Sequence, residues 1–308
     1  MSSNPAIADS NKLIRLRYAA GELINFPKLQ AKQMLAGGHR SHFRGRGMDF
    51  DQVRLYQAGD DVRSIDWRVT ARTQAPHTKV IIEERERPIL IICDLRSSMF
   101  FGSQRLKSVV ACELSAALTW AGLGVNDRVG GVIFGAQDQL DIKPKRSHHT
   151  ALQFIRGLQS FSEALLNPQE DKLDLATILE ESRRLTLPGS TVFVVSDFHD
   201  LNSTCEPHLY SLAKHCNINF CQVTDNIERQ LPKPAHYPVT NGKRQVILDT
   251  SDKKLRENFA HQFAKRENYM QKICEQLGAG LLKFDTNEPV MQLLAKAYGK
   301  RRSVRQFN

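Results

Sequence analysis

The sequence predicts an α/β fold in which a mostly parallel sheet is flanked by helices, and three observations lead to it. The apolar runs ILIICD (89–94) and STVFVVSDF (190–198) are continuous and rich in β-branched residues, which is typical of strands buried on both faces. From residue 88 onward, segments with apolar residues at helical spacing alternate with such runs. This alternation favours parallel strands joined by helices that cover both faces of the sheet.

The N-terminal part of the chain has a different pattern. Residues 10–37 predict a helix, because apolar residues such as Leu13 and Leu23 recur at helical spacing and a pair of glycines closes the segment. The stretch 37–73 is rich in glycine and arginine and predicts irregular structure with short strands. A further strand is expected around residues 78–85.

The later elements follow in regular alternation. Helices are expected over 103–123, 149–158, 175–185, 208–216, 252–277 and 287–298, and strands over 127–135, 139–144, 217–223, 244–250 and 280–285. We therefore expect three segments. A small N-terminal β-rich subdomain with a leading helix spans residues 1–87, the α/β domain spans 88–298, and a basic tail spans 299–308.

Composition limits the class of protein. With 41% hydrophobic residues, the 308-residue chain can bury a substantial core. It has no run of about 18 apolar residues, so no transmembrane helix is expected. The N-terminus MSSNPAIADSNK has no apolar stretch behind a basic one, which argues against a secretory signal. The six cysteines form no C-x-x-C pair and indicate free thiols in a reducing compartment, so we expect a cytoplasmic protein.

The net charge of +10 is unevenly distributed. Residues 1–80 carry 13 Lys and Arg against 7 Asp and Glu, and residues 300–308 carry four basic side chains and no acidic one. The rest of the chain is neutral. Such a distribution often accompanies binding of nucleic acid, lipid headgroups or an acidic protein face. Local pairing of the arginines, with a tail that only aids solubility, is the simpler alternative.

Two of the predicted central strands end in an aspartate. Asp94 follows ILIIC and Asp197 follows TVFVVS, so both carboxylates are expected at the carboxyl edge of the sheet, where open α/β sheets bind ligands. Carboxylates together with a hydroxyl such as that of Ser98 are ligands that suit Mg²⁺. The sequence therefore directs attention to this edge as a candidate metal site.

The residues at this edge, and the segment before them, resemble known families. CDLRSSM with VSDF resembles the von Willebrand factor A-type fold and its metal-ion-dependent adhesion site. The upstream GDDVRSIDW (59–67), followed by EERER and the Asp94 loop, closely resembles the bacterial domain of unknown function 58 family, over about residues 20–225. The signature residues of this resemblance are Arg54, Tyr56, Gly59, Asp60, Arg63, Asp66, Trp67, Arg72 and Glu84.

The family resemblance implies a Rossmann-like von Willebrand factor A-type domain and a function. Members are thought to act as non-enzymatic adaptors or assembly partners of a MoxR-type AAA+ ATPase. Other von Willebrand factor A-like proteins are further partners that the resemblance suggests. Many members carry membrane helices before this segment, and none is expected here.

The adhesion-site pattern is incomplete in this chain. Asp94, Ser98 and Asp197 match three of its positions, but Arg96 stands where a serine ligand belongs and Leu173 where a threonine belongs. A guanidinium is always charged and cannot coordinate a metal. Our hypothesis is that Arg96 replaces the ion and pairs with Asp94 and Asp197. The alternative is that Arg96 swings outward and Asp94, Ser98, Asp197 and water hold a weak Mg²⁺ or Mn²⁺ site.

Other polar clusters have simpler interpretations. GDDVRSIDW holds carboxylates and arginines close together, which favours an ion-pair network around a packed Trp67 over acid–base chemistry. In SDFHD, His199 and Asp200 follow Asp197, and loop polarity is a simpler explanation than a metal or nucleophile-activating role. The segment HRSHFRGRG (39–47) is the best nucleic-acid candidate, but it is short and has one aromatic residue.

These observations favour a protein-recognition function over catalysis. No G-x-x-x-x-G-K-[ST] loop and no G-x-S-x-G elbow occurs in the sequence. We expect a non-enzymatic adaptor without a required cofactor, whose contact surface is the edge around Asp94, extended by Ser97, Thr150, His199 and Asp200. Nucleic-acid or polyanion binding through the basic segments and a metal-dependent hydrolase are the alternatives.

Overall fold

The computed structural model describes residues 4–23, 26, 49–57, 62–82, 87–167, 169–240 and 245–299. The chain forms two compact units, one from residues 1–37 and 87–308 and the other from residues 38–86. The boundary after residue 86 lies close to the expected one at residue 87, but residues 1–37, which include the N-terminal helix, belong to the larger unit. No helix within the described ranges is both long and apolar enough to cross a membrane.

The larger unit is built around a six-stranded sheet with the strand order β10-β7-β6-β3-β4-β5. The strands are β3 (Pro88–Asp94), β4 (Arg128–Phe134), β5 (Gln139–Lys145), β6 (Thr191–Ser196), β7 (Asn217–Thr224) and β10 (Gly280–Asp285). All neighbours pair in parallel except β5, which runs antiparallel to β4 at one edge. The sequence-predicted α/β class with a mostly parallel sheet is therefore confirmed.

Helices cover both faces of this sheet. They are α1 (Ser10–Ala20), α3 (Lys107–Gly124), α4 (His148–Ala164), α5 (Leu175–Ser182), α6 (Glu206–Ala213), α7 (Asn226–Arg229), α8 (Lys253–Leu277) and α9 (Val290–Tyr298). Along β3, Ile89, Ile91 and Cys93 join one hydrophobic cluster, while Leu90 and Ile92 join the other. Because alternate residues of a strand point to opposite faces, this pattern requires cover on both sides.

The N-terminal helix is shorter than expected but well anchored. α1 begins at Ser10 with Asp9 as its N-cap and ends at Ala20, whereas a helix over 10–37 was expected. Residues 24, 25 and 27–37 lie outside the described residues. Leu13 is buried, and its carbonyl oxygen accepts a hydrogen bond of 3.0 Å from Nε1 of Trp120 in α3. This packing is the physical reason why the helix joins the α/β unit.

The smaller unit contains an antiparallel pair, β1 (Asp49–Leu55) with β2 (His77–Ile82), and the short helix α2 (Trp67–Thr73). Asp66 caps α2 by accepting hydrogen bonds from the backbone nitrogens of Arg68 and Val69. The expectation of a packed Trp67 is wrong, since this side chain is 68% exposed. Signature residues Gly59, Asp60 and Glu84 lie outside the described residues.

The strand predicted over residues 244–250 does not join the main sheet. β9 (Gln245–Asp249) pairs in antiparallel fashion with β8 (His236–Thr240), which the sequence reading missed, and the two form a separate ribbon. The intervening residues 241–244 lie outside the described residues.

The strand directions define the edge of the sheet at which β3 and β6 end, and we call this edge the rim. It comprises the loops 95–103 after β3, 171–174 before α5 and 197–200 after β6. Thr150 was expected there, and this expectation is wrong. Because β5 runs antiparallel, its last residue Lys145 pairs with Val129 near the start of β4, so Thr150 lies toward the opposite edge.

Candidate functional site

The centre of the rim is a buried aspartate that is fully hydrogen-bonded. Asp94 ends β3, is 0% exposed, and accepts hydrogen bonds from Arg96 at both carboxylate oxygens. Nε of Arg96 lies 3.0 Å from Oδ1 and Nη2 lies 2.8 Å from Oδ2. The hydroxyl of Ser196, at the end of β6, donates to Oδ2 at 2.6 Å. Burial raises the pKa of Asp94, and the guanidinium of Arg96 opposes that rise.

Arg96 bridges two carboxylates. Its other edge faces Asp200, with Nη1 2.5 Å from Oδ2 and Nη2 2.9 Å from Oδ1. Nη1 also donates to the carbonyl oxygen of Leu173 at 3.2 Å. Burial opposes the charge of Arg96, but Asp200 and Asp94 outweigh it and raise the pKa of the guanidinium. Although burial opposes its charge as well, Arg96 holds the pKa of Asp200 below its usual value.

A second buried cation lies beside the first cluster. Lys107, in the first turn of α3, is 1% exposed, and its Nζ lies 2.7 Å from Oδ2 of Asp197 and 2.5 Å from Oε1 of Glu228. A cation at a helix N-terminus is unfavourable by itself, and these two carboxylates offset that cost. Despite burial, Asp197 and Glu228 raise the pKa of Lys107, while His199 and Lys107 lower the pKa of Asp197.

The backbone after β6 explains which carboxylate reaches Arg96. Phe198 has a φ of 56°, in the left-handed region that non-glycine residues seldom adopt. Its ring is buried and meets Phe220 edge to face, with centroids 5.4 Å apart. This turn aims Asp197 at Lys107 and returns Asp200 to Arg96. The expected pair of Arg96 with Asp197 is therefore replaced by pairing with Asp200.

The adhesion-site positions do not fit a divalent ion. The carboxylate of Asp94 is occupied by Arg96, and that of Asp197 by Lys107. Leu173 supplies only its carbonyl oxygen, and this accepts from Arg96. The hydroxyl of Ser98 is buried and finds no hydrogen-bond partner in the described part of the chain. A dication beside Arg96 would be repelled by roughly 8 kcal/mol at about 4 Å and an effective dielectric of about 20. Across the described residues, no group of three metal-ligating His, Cys, Asp or Glu side chains was found.

His199 adds a pH-sensitive group to the rim. Its Nδ1 lies 3.1 Å from Oδ1 of Asp197 and 3.9 Å from Oδ1 of Asp200. The hydrogen bond to Asp197 raises the pKa of His199 despite partial burial. Protonated His199 therefore stabilises the folded chain. This contribution is fully present below the unfolded pKa of about 6.5 and is lost as the pH rises through the folded pKa.

We expect the free energy of unfolding to fall more between about pH 6 and about pH 9 in the unmodified protein than in His199→Gln. The difference should stay below about 1 kcal/mol, because the side chain is 38% exposed and solvent screens the pair. Urea unfolding at several pH values measures it. His149→Gln, an exposed histidine near the opposite edge, is the control. Equal pH dependence in all three proteins would contradict the expectation.

The outer part of the rim is more accessible. Ser97 is exposed and its hydroxyl donates a short hydrogen bond to Asp171. Beside it opens a cavity of about 210 Å³, lined by Leu95, Asp138, Phe161 and other residues. Phe101, on the same loop as Ser97, is 41% exposed, and Nζ of Lys107 lies 5.8 Å from its ring centroid. An exposed aromatic and a nearby cavity are features suited to contact with another molecule.

Sequence reasoning missed three residues of this site, namely Lys107, Asp171 and Glu228. Lys107 lies at a helix start and looks like an ordinary surface lysine in the sequence. Its partners Asp197 and Glu228 are 90 and 121 positions away along the chain. The only local signal is a lysine at the first position of an unusually apolar helix.

Comparisons with known proteins identify a family and several relatives. The profile of the family "Protein of unknown function DUF58" matches residues 52–269. The uncharacterized proteins Rv1480 of Mycobacterium tuberculosis and Mb1516 of Mycobacterium bovis are each 28% identical over 274 residues, covering 87% of this chain and 84% of theirs.

Two solved structures also resemble the chain at 16% identity over 68% of its length. One is the conserved hypothetical protein BatB from Bacteroides thetaiotaomicron, with a TM-score of 0.39 and 98% of that chain covered. The other is an aerotolerance-related membrane protein from Bacteroides fragilis, with a TM-score of 0.40 and 96% covered. The profile match spans more than half of the sequence, and the chain therefore belongs to the DUF58 family of proteins of unknown function.

Proposed function

We propose that this chain is a non-enzymatic adaptor that binds a protein partner through the rim, in a chaperone-like or complex-assembly role. The observation that carries the proposal is that the buried charges of the rim are paired with one another. Arg96 lies between Asp94 and Asp200, and Lys107 lies between Asp197 and Glu228. Proton transfer by these carboxylates would require protonation that changes easily near working pH, and the doubly paired ions around Arg96 and Lys107 oppose such changes. The arrangement suits a rigid recognition surface.

The proposal includes a degenerate von Willebrand factor A-type metal site in which Arg96 stands in for the ion. In such a site a dication would join neighbouring loops by attracting their carboxylates. Here the planar guanidinium joins the β3 loop to the β6 loop through Asp94 and Asp200, and to the loop before α5 through the carbonyl oxygen of Leu173. Charge-assisted, bidentate hydrogen bonds give this bridge both strength and direction. The rim would then keep its shape without a metal.

The partner we propose is a MoxR-type AAA+ ATPase, on the basis of the family resemblance. The rim offers two contact features for such a partner. Phe101 projects an exposed ring, and the cavity beside Ser97 combines apolar Leu95 and Phe161 with polar Asp138. Interface hot spots are commonly aromatic side chains and the pockets that receive them. We place the complex in the cytoplasm, where the six free thiols would stay reduced.

Phe101→Glu should weaken binding of a purified MoxR-type ATPase from the same genome by roughly tenfold or more, because a charge replaces an aromatic anchor. Calorimetry or analytical gel filtration of the two purified proteins measures the affinity. Tyr210→Glu is the matched control, since Tyr210 is a similarly exposed aromatic (38%) on α6, outside the rim. Absence of any complex with the unmodified chain would refute the adaptor proposal. If Phe101→Glu and Tyr210→Glu lowered the affinity equally, the rim would not be the contact surface.

A second candidate function is binding of nucleic acid or another polyanion. Residues 39–47 and 300–308, where the sequence placed this function, lie outside the described residues. The observation that favours it is on α2, which exposes Trp67, Arg68 and Arg72. An indole can stack on a base while guanidinium groups bind phosphates. Binding of single-stranded DNA that weakens steeply with salt would favour this candidate.

A further inference from the structure

The ribbon of β8 and β9 exposes apolar side chains on both of its faces. Val239 is 48% exposed, Val246 is 65% exposed and Ile247 is 69% exposed. Within the described residues, no third strand pairs with either strand of the ribbon. Its base is anchored, since the hydroxyl oxygen of Thr250 lies 2.8 Å from the carbonyl oxygen of Lys233 and 3.0 Å from that of Ala235, within hydrogen-bond distance of both. An anchored ribbon that exposes β-branched residues is a site at which another strand can pair with an open edge.

The outer edges of β8 and β9 differ in the backbone hydrogen-bonding groups that they expose. Pro238 in β8 pairs with Ile247 in β9. Proline has no N–H group, and alternate pairs of an antiparallel ladder are hydrogen-bonded, so this pair belongs to the non-bonded set. The backbone groups of both residues then face outward. The outer edge of β8 thus lacks a donor at its centre, whereas β9 presents the N–H and C=O of Ile247 to an incoming strand.

We propose that this open edge binds β9 of a second copy of the chain, in antiparallel fashion, around a two-fold axis at Ile247. Each Ile247 then exchanges both backbone hydrogen bonds with its counterpart, and the two side chains pack on the same face. In the same register, Gln245 of each copy lies opposite Asp249 of the other copy, so this pair occurs twice. The amide of Gln245 can donate to that carboxylate. The edge is therefore self-complementary in both its apolar and its polar positions.

The proline edge explains why the assembly stops at two copies. Pairing of the two β9 strands makes a four-stranded sheet whose outer strands are both β8. Because Pro238 interrupts the donors of each outer edge, a third copy finds no matching edge. An isologous contact of this kind closes on itself, as most homodimers do. This inference concerns a part of the fold outside the rim and stands independently of the adaptor proposal.

Cysteine cross-linking tests the predicted register. In Ile247→Cys, the two-fold axis brings the Cα atoms of the new residue in the two copies to about 5.5 Å, within the range that a disulfide spans. Val239→Cys is the matched control, because Val239 is also exposed but lies on β8, so that the two copies are separated by about three strand spacings of roughly 4.8 Å. Under mild oxidation we expect covalent dimers from the first variant. Equal cross-linking of both variants, or of neither, would overturn the proposal.

Sedimentation analysis gives a second readout that needs no new thiol. The unmodified protein should show a monomer–dimer equilibrium that depends on concentration. Ile247→Pro removes the outward N–H group of β9, as Pro238 already does on β8, together with the isoleucine side chain. It spares the hydrogen bonds between β8 and β9, so the ribbon should persist. The dissociation constant of the dimer should rise at least roughly tenfold, because two backbone hydrogen bonds and the contact between the Ile247 side chains are lost. A monomer at all concentrations, or an unchanged constant in Ile247→Pro, would contradict the inference.

Discussion

Arg96→Met should destabilise the protein by roughly 3–5 kcal/mol, since it leaves two carboxylates without their cation. Asp94 is fully buried and Asp200 is only 19% exposed at its side chain, so water cannot replace the guanidinium. Methionine retains much of the volume of the side chain, which makes lost packing the smaller part of the effect. The free energy of unfolding from urea denaturation measures the change.

Two controls separate the buried pair from ordinary surface charge. Arg105→Met removes a cation from the partly exposed pair with Glu113 and should cost no more than about 1 kcal/mol. Adding Asp94→Asn to Arg96→Met should restore part of the lost stability, because the unpaired charge is removed as well. If Arg96→Met and Arg105→Met had equal effects, the buried cluster would not be the structural centre of the rim.

The protonation of Asp94 gives the same variant a pH signature. Burial raises the pKa of this carboxyl even with Arg96 beside it, and removal of Arg96 removes an opposing influence. A group whose folded pKa lies above its unfolded value stabilises the fold at low pH and loses that contribution as the pH rises. The deficit of Arg96→Met relative to the unmodified chain should therefore shrink as the pH falls toward about 4.

The double variant Arg96→Ser, Leu173→Thr should gain binding of Mg²⁺ or Mn²⁺. It removes the guanidinium and supplies the two hydroxyl groups that the adhesion-site pattern lacks. Together with Asp94, Asp197 and the hydroxyl of Ser98, which has no hydrogen-bond partner among the described residues, these two hydroxyl groups would form a set of oxygen ligands of the kind that hard cations prefer. We expect a dissociation constant at least about tenfold below that of the unmodified chain in calorimetric titration.

Lys107 limits this gain of binding, and a third substitution provides its control. It stays paired with Asp197 and Glu228 in the double variant and will weaken any ion site through its charge. Asp94→Ala added to the double variant should abolish the gained binding, because Asp94 is the first ligand of the pattern. Binding that survives this third change would place the ion elsewhere and contradict the assignment.

The α/β core was predictable because its signals are local. β3 and β6 are runs of buried, β-branched residues, and nothing in the neighbouring sequence competes with a strand there. Asp94 follows directly from such a run, so its place at the end of a strand could be read from the sequence. The ribbon could not be read in the same way, since QVILD looks like a core strand and only the tertiary structure shows that its side chains face solvent.

The partners within the rim could be predicted only in part. Arg96 was expected to face two carboxylates, and Asp94 is one of them because it is two positions away. The choice of Asp200 over Asp197 depends on the left-handed backbone of Phe198, for which the sequence carries no signal. Lys107 comes into the rim through the packing of α3 against the sheet. Contacts that depend on a single dihedral angle or on long-range packing lie beyond what spacing can predict.

We propose that Arg96 occupies the place of an ion, and the function proposed for the rim depends on this. Calorimetric titration of the unmodified protein with Mg²⁺ and Mn²⁺ tests it most directly, with Asp94→Ala measured beside it. We expect no binding in the micromolar range and no difference between the two proteins. Micromolar binding by the unmodified chain that disappears in Asp94→Ala would show that Arg96 yields to a metal, and would contradict the claim.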